Sequence, residues 1–203
     1  MRLWVKTNAL LWLVAVTLIA TSLALLIDEQ QILMPNLSGG PILAPMPAQI
    51  FLTLAPVMFL ALIFDRGLEV PIILSRRKLS GLNLSLVAAT LLTATCVLAL
   101  ESLWQNVEWI LLQNLFLFAG IEVLFTRWLP AKLAAIAPTA WVLVCALYGH
   151  DFQAGGLQIW AFTLEPQPTQ AGWTTSALTL GIGCLAYLTN SRQSKFRLFT
   201  INQ

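Results

Sequence analysis

Six apolar stretches separated by short polar or charged segments organise this chain: residues 8–27, 48–64, 82–100, 107–125, 133–148 and 174–190. Crossing about 30 Å of hydrocarbon takes about 20 helical residues at 1.5 Å each. The pattern therefore predicts an all-α fold, a polytopic transmembrane bundle of six spans forming one integral membrane domain over residues 1–203. The second and fifth stretches are short and hold Pro56 and Pro138. A proline removes one helix hydrogen bond and tends to kink a span, which neighbouring helices can offset. Arg2 and Lys6 ahead of the first stretch imitate a secretory signal, but more apolar sequence follows Ala20-Thr21-Ser22, so a retained helix is expected.

Composition agrees with lipid as the solvent. Of 203 residues, 58% are hydrophobic and 10% charged. A water-facing surface needs far more charge, about 25% of residues in an ordinary soluble domain. The mean hydropathy is +0.80. The net charge of +2 says little, but the positions of the eleven Lys and Arg residues say more. Arg2 and Lys6 precede the first span; Arg66, Arg76, Arg77 and Lys78 lie between the second and third. Arg127 and Lys132 separate the fourth and fifth, and Arg192, Lys195 and Arg197 follow the sixth. In a six-span chain all of them fall on one side, while Asp28, Glu29, Glu101, Glu108, Asp151 and Glu165 take the other. Basic residues resist translocation, so both termini are expected in the cytoplasm and the chain in the cytoplasmic membrane, as a multi-pass protein. No basic patch suits nucleic acid.

Tryptophans sit where indoles prefer the headgroup zone: Trp104, Trp109 and Trp173 outside, Trp4 and Trp128 inside. Trp12 and Trp141 lie deeper and are expected between helices. Cys96, Cys145 and Cys184 fall within apolar runs and read as small packing residues. No cysteine–histidine pattern suggests a metal. Two outer segments, 28–47 and 150–172, exceed a simple turn. Either lies on the membrane surface or caps the bundle, with a short interfacial helix expected around 157–164. No internal repeat is visible.

The loop over residues 65–79 carries Asp65, Arg66 and Glu69, an apolar centre including Pro71 and Ile72, then Arg76, Arg77 and Lys78. Pro71 suits the first turn of a short helix. Such an element can dock in a groove on a cytoplasmic partner such as an ATPase subunit. The plainer reading is that its cations fix orientation and touch anionic headgroups. Glu122 is the carboxylate deep inside a proposed span; it must pair, snorkel or hold a proton. Arg127, five residues on, is a candidate partner. Gln113 and Asn114 on the same span suit interhelical hydrogen bonds. Ala177, Gly181 and Cys184, with Gly183 beside them, form a small-residue face for helix packing within the bundle or against another subunit. His150, the sole histidine, stands beside Asp151 without the acids or cysteines that metal or acid–base chemistry needs. No nucleophile–base pair and no phosphate-cradling glycine loop occurs, so neither enzyme activity nor a cofactor is expected and any ATP hydrolysis falls to a partner. Asn36-Leu37-Ser38 matches a glycosylation sequon on the expected outer face and, outside a eukaryotic source, is coincidental.

A proline-rich outer segment from Leu33-Met34-Pro35 to Pro47 leads to a second span with an internal proline. Then come Asp65-Arg66-x-x-Glu69, Arg76-Arg77 and the polar helix start Gly81-Leu82-Asn83-Leu84. This order, over roughly residues 30–90, resembles the small six-helix membrane subunits encoded beside ABC transporter ATPases in actinobacteria. The resemblance implies a permease-like subunit of an ABC exporter, with a cytoplasmic ATPase and other membrane subunits as partners. The alternatives are a membrane subunit that binds a small hydrophobic ligand from the outer side, and a non-transporting assembly or immunity factor.

Overall fold

The computed structural model describes residues 2–27, 30–38, 42–67, 76–103, 109–151, 156–165 and 167–199, with the side chains of 2–8, 65–67, 76–80, 82, 151 and 190–199 outside the description. The described chain is mostly helical. It comprises α1 (Arg2–Leu26), α2 (Gln49–Gly67), α3 (Arg76–Glu101), α4 (Ile110–Phe125), α5 (Ala131–Ala134), α6 (Ile136–Tyr148) and α7 (Gln170–Phe199). Three stretches are long and apolar enough to cross a membrane: Ala9–Leu26, Asn83–Glu101 and Ala131–Tyr148. Gln49–Phe64 and Ile110–Phe125 are apolar but shorter.

Apart from Gln113, Asn114 and Glu122, α4 is apolar on every side, the signature of a helix surrounded by others. Twelve of its 16 residues are buried, and α7, α2, α6, α3 and α5 all pack on it. The peripheral helices differ: only 28% of Ala9–Leu26 and 33% of Asn83–Glu101 lies inside. Their outward faces carry Leu11, Trp12 and Leu92, each about two-thirds exposed. Apolar surface of this extent has no place against water. Trp12, expected between helices, is therefore a correction: it points outward. So does Cys96, while Cys145 is buried and Cys184 half-buried.

The tightest contact is the crossing of α4 and α7. A β-carbon on Gly120 would lie 2.6 Å from the Leu180 backbone nitrogen, and one on Gly183 would lie 2.6 Å from the Gly120 carbonyl oxygen. Only glycine lets the two backbones approach this closely. The expected packing face of Ala177, Gly181 and Cys184 is not the one used within the chain. Ala177 and Gly181 are exposed, and nothing lies within 4 Å of a β-carbon built on Gly181. The inner face is instead Gly172, Ser176, Gly183 and Ala186, all buried.

Pro56 is carried inside an unbroken α2. Pro138 acts upstream: the helical hydrogen-bond ladder is interrupted between α5 and α6 at Ala135, whose backbone stays in the helical region. Its ring would strike the carbonyl four residues earlier, on Ala134. Arg76, Arg77 and Lys78 form the first turn of α3, and Asp65 and Arg66 the last turns of α2. The expected 65–79 loop is thus shorter than the sequence suggested, because its basic residues and Leu79 are good helix formers.

The two long connections each form a β-ribbon, which the sequence reading did not anticipate. β1 (Gln31–Pro35) pairs antiparallel with β2 (Leu43–Pro47), and β3 (His150–Asp151) with β4 (Gly156–Leu157). A strand tolerates proline where no ladder hydrogen bond is needed. Flanking bonds from Asn36 N to Ile42 O (2.8 Å) and Ala48 N to Gln30 O (2.9 Å) place the even-numbered residues in bonded pairs. Pro35, Pro45 and Pro47 pair with Leu43, Leu33 and Gln31, so all three occupy non-bonded sites and cost no bond. Ala44 and Met46 of β2 point into the bundle and are buried at 1% and 0% exposure. A 3-10 helix (Ile159–Leu164) replaces the expected interfacial helix and buries Ala161, Phe162 and Leu164 in the same cluster as Met46, Val142 and Cys145.

The two ribbons meet. Leu37 N donates to Leu147 O at 2.8 Å, and Ser38 Oγ donates to His150 O at 2.5 Å. Together they cap one end of the bundle. We expect Met46→Ala to destabilise the protein by about 2–4 kcal/mol. Leu33→Ala, at an exposed position of β1, should change it by less than about 0.5 kcal/mol. Thermal unfolding in mild detergent compares the two.

Burial holds His150 below the usual imidazole range, a hydrogen bond to the Pro45 backbone pulling the other way. The folded cap therefore prefers neutral imidazole. Its contribution is complete above the unfolded value of about 6.5 and declines as pH falls through that value toward the lower folded one. The unfolding midpoint of the wild type should drop more between pH 7.5 and 5.5 than that of His150→Gln; equal drops would remove the assignment.

Candidate functional site

Polar residues inside a bundle of this composition are the first place to look for chemistry, because each is costly to bury. α4 carries three: Gln113, Asn114 and Glu122, exposed by 0%, 1% and 1%. Asn114 Nδ2 donates to the Thr163 carbonyl at 3.3 Å, fastening the 3-10 helix to α4. That fulfils the bonding role expected of Asn114. Gln113 does not share it. Its amide packs against the Gly172 backbone, and neither of its polar atoms has a partner. Ser176, one turn further along α7 and wholly buried, also makes no hydrogen bond through its hydroxyl.

Glu122 lies about one turn from the other end of α4, and neither carboxylate oxygen is hydrogen-bonded. The pairing with Arg127 is not made. Five residues turn the helix through about 140° beyond a full circle, and α4 ends at Phe125. The Arg127 guanidinium stands over the Trp128 ring instead, 5.7 Å from its centroid. Asn83 Nδ2 donates to Tyr187 Oη at 2.7 Å, and Tyr187 stacks on Phe64 at 6.2 Å. This link from α3 to α7 escaped the sequence reading. Asn83, a polar residue one turn into an apolar run, was the available signal.

Of the 65–79 segment, Glu69 and Ile72 lie outside the described residues, as do the side chains of Asp65, Arg66, Arg76, Arg77 and Lys78. Among the described residues no group of His, Cys, Asp and Glu is arranged to hold a metal.

A lateral concavity was not legible in the sequence at all. α6 and α7 both lean on α4 but scarcely touch each other, which leaves a lateral groove of about 870 Å³ between them. α4 supplies the floor, with Leu117, Ile121 and Phe125 at four-residue spacing. One wall is Ala137, Ala140 and Val144 of α6; the other is Ala171, Thr175 and Thr179 of α7. Small residues on both walls keep the groove wide. At one end the 3-10 helix closes it with Trp160 and Phe162; Trp141 meets Trp160 edge-on, ring centroids 6.1 Å apart at 72°. Among the described residues no ionisable side chain lines it. The volume falls in the range of small-molecule sites, about 300–1,000 Å³, though the groove opens sideways rather than to one mouth.

No protein-family model matches the chain, and no curated protein or solved structure is significantly similar to it.

Proposed function

We propose that this protein is a multi-pass transport component of the bacterial cytoplasmic membrane, and that it receives an apolar ligand from the bilayer into the groove between α6 and α7. The supporting observation is the groove itself: 870 Å³, lined almost wholly by apolar side chains, between helices whose outer faces suit hydrocarbon. A water-soluble substrate would find neither charge nor a polar rim there. A lipid-like molecule exchanges one apolar solvent for another and gains close packing against Leu117, Ile121 and Phe125.

In this reading six helical passes cross the membrane, α5 and α6 forming one of them, with both termini in the cytoplasm. The segregation of all eleven basic residues supports that orientation. The ribbon cap then faces outward and closes the groove's outer end. An ATPase partner docks at residues 65–79 and supplies the energy, as in ABC-type systems; the chain itself carries no phosphate-binding loop.

Ala140→Trp fills the groove while leaving the buried α4 contacts alone. Native mass spectrometry from mild detergent should show a retained lipid-like mass on the wild type and none on the variant, at equal thermal stability. A wild type that is consistently empty would sink the proposal. Charge reversal at Arg76, Arg77 and Lys78 should abolish co-purification of the ATPase without emptying the groove; unchanged co-purification would remove that partner.

A further inference from the structure

Threonines inside helices normally turn the hydroxyl back onto a carbonyl three or four residues earlier, which hides it from hydrocarbon. Thr17, Thr21, Thr90, Thr95 and Thr179 all do so, at 2.7–2.9 Å. Thr175 is the exception among the described threonines of the α-helices. Its usual acceptor would be the Ala171 carbonyl, four residues back. That oxygen is already taken by Thr174 Oγ, which donates to Gln170 O and Ala171 O at 3.0 Å each. The Thr175 carbonyl in turn accepts from Thr179 Oγ at 2.8 Å. An exposed hydroxyl is thus left on the groove wall.

Its height along the groove follows from the helix pairing. α7 runs parallel to α4, with Gly172 against Gln113, Leu180 against Gly120 and Gly183 against Leu124. Thr175 therefore stands level with about Leu117, near the end closed by Trp160 and Phe162. Below it the groove is lined by apolar side chains down to Phe125 and Ala137 and by Thr179, whose hydroxyl is turned back onto the Thr175 carbonyl. A polar contact at one end and an uncharged, apolar remainder describe a particular kind of occupant.

We infer that the groove binds an uncharged amphiphile of the diacylglycerol class, its alcohol or ester oxygen hydrogen-bonded by Thr175 and its tail lying along Leu117, Ile121 and Phe125. This rests on the groove being a ligand site, as proposed above, and adds the ligand's charge state and its anchor. An anionic headgroup drawn into the same place would meet no compensating cation among the described residues, none of which lines the groove with an ionisable side chain.

The test uses the full chain in phosphatidylcholine nanodiscs, with photoreactive diacylglycerol and photoreactive phosphatidic acid carrying the same tails. Diacylglycerol should label residues 117–125 or 171–179 at least about tenfold more strongly than phosphatidic acid. Thr175→Val, of equal shape, should raise the half-saturating diacylglycerol concentration about fivefold, the value of one hydrogen bond. Thr175→Ser should restore it, and Ala140→Trp should abolish labelling. Equal labelling by the two probes, or a Thr175→Val response equal to wild type while Ala140→Trp still blocks labelling, overturns the inference and leaves the groove as a ligand site. Absence of groove labelling by either probe, or groove crosslinks to another polypeptide instead, overturns both.

Discussion

Gly183→Leu should be the most damaging single substitution in the described part of the protein. A β-carbon there already meets the Gly120 carbonyl at 2.6 Å and the Leu124 nitrogen at 3.3 Å. Both are backbone atoms of a helix packed on several sides, so neither can swing away as a flexible side chain would. The helices must separate, and separation takes the Phe116–Trp173 contact, 5.9 Å between centroids, with it. Overpacking of a close-packed interior costs about 1–3 kcal/mol and occasionally more; a leucine between two backbones belongs at or beyond the upper end. Gly120→Ala should cost about 1–3 kcal/mol for the same reason, since its β-carbon meets the Leu180 backbone. Gly181→Ala supplies the control. It points into open space and should be neutral or stabilising by up to about 1 kcal/mol through helix propensity. Unfolding in mixed micelles measures all three. If Gly181→Ala destabilises as much as Gly120→Ala, the α4–α7 crossing has been assigned to the wrong face.

Glu122→Leu carries the second large expectation, with the opposite sign. The side chain is buried at 1% exposure and neither oxygen is hydrogen-bonded. An unsatisfied buried polar group costs about 1–3 kcal/mol. An apolar replacement of similar volume recovers much of that and should raise stability by about 1–3 kcal/mol. Glu122→Gln keeps two unsatisfied polar groups in place and should change stability by less than about 1 kcal/mol. A natural chain that tolerates such a cost gains something else by it, commonly activity. Glu122→Leu is accordingly expected to be more stable than wild type and, under the transport function proposed above, impaired in it; the two readings are separable in one purified sample. Loss of stability by more than about 1 kcal/mol would show that the carboxylate has a partner after all.

What the sequence made legible follows from what lipid demands. Each expected apolar stretch falls on helix, the fifth divided between α5 and α6, and three of the helices are long and apolar enough to cross a membrane, as the need to pair every backbone group in hydrocarbon would have it. α4 was legible as an apolar helix and Asn114 as a buried donor, which bonds the Thr163 carbonyl. Which side of a helix turns inward was much less so. In water, polarity marks the outer face; in lipid, Trp12 and Leu11 sit as readily outside as Leu13 does inside. Small residues line both sides of α7, so Ala177 and Gly181 looked as suitable for close packing as Gly183. The ribbons were missed because proline reads as a strand breaker until its parity is known, and parity exists only once Leu33 is set opposite Pro45. The groove was illegible for a plainer reason. It arises from two helices failing to meet, and a contact that is not made leaves no mark on either segment.

The join between the two ribbons has a consequence for assembly. Ser38 and His150 are 112 positions apart, so at about 5–20 residues per second the first ribbon waits on the order of ten seconds before the ribosome delivers its counterpart. Throughout that interval the Leu37 amide and the apolar side chains of Ala44 and Met46 have no final seat. Newly made protein should be most open to proteolytic nicking between residues 30 and 48, and a chain truncated before Leu147 should stay open there.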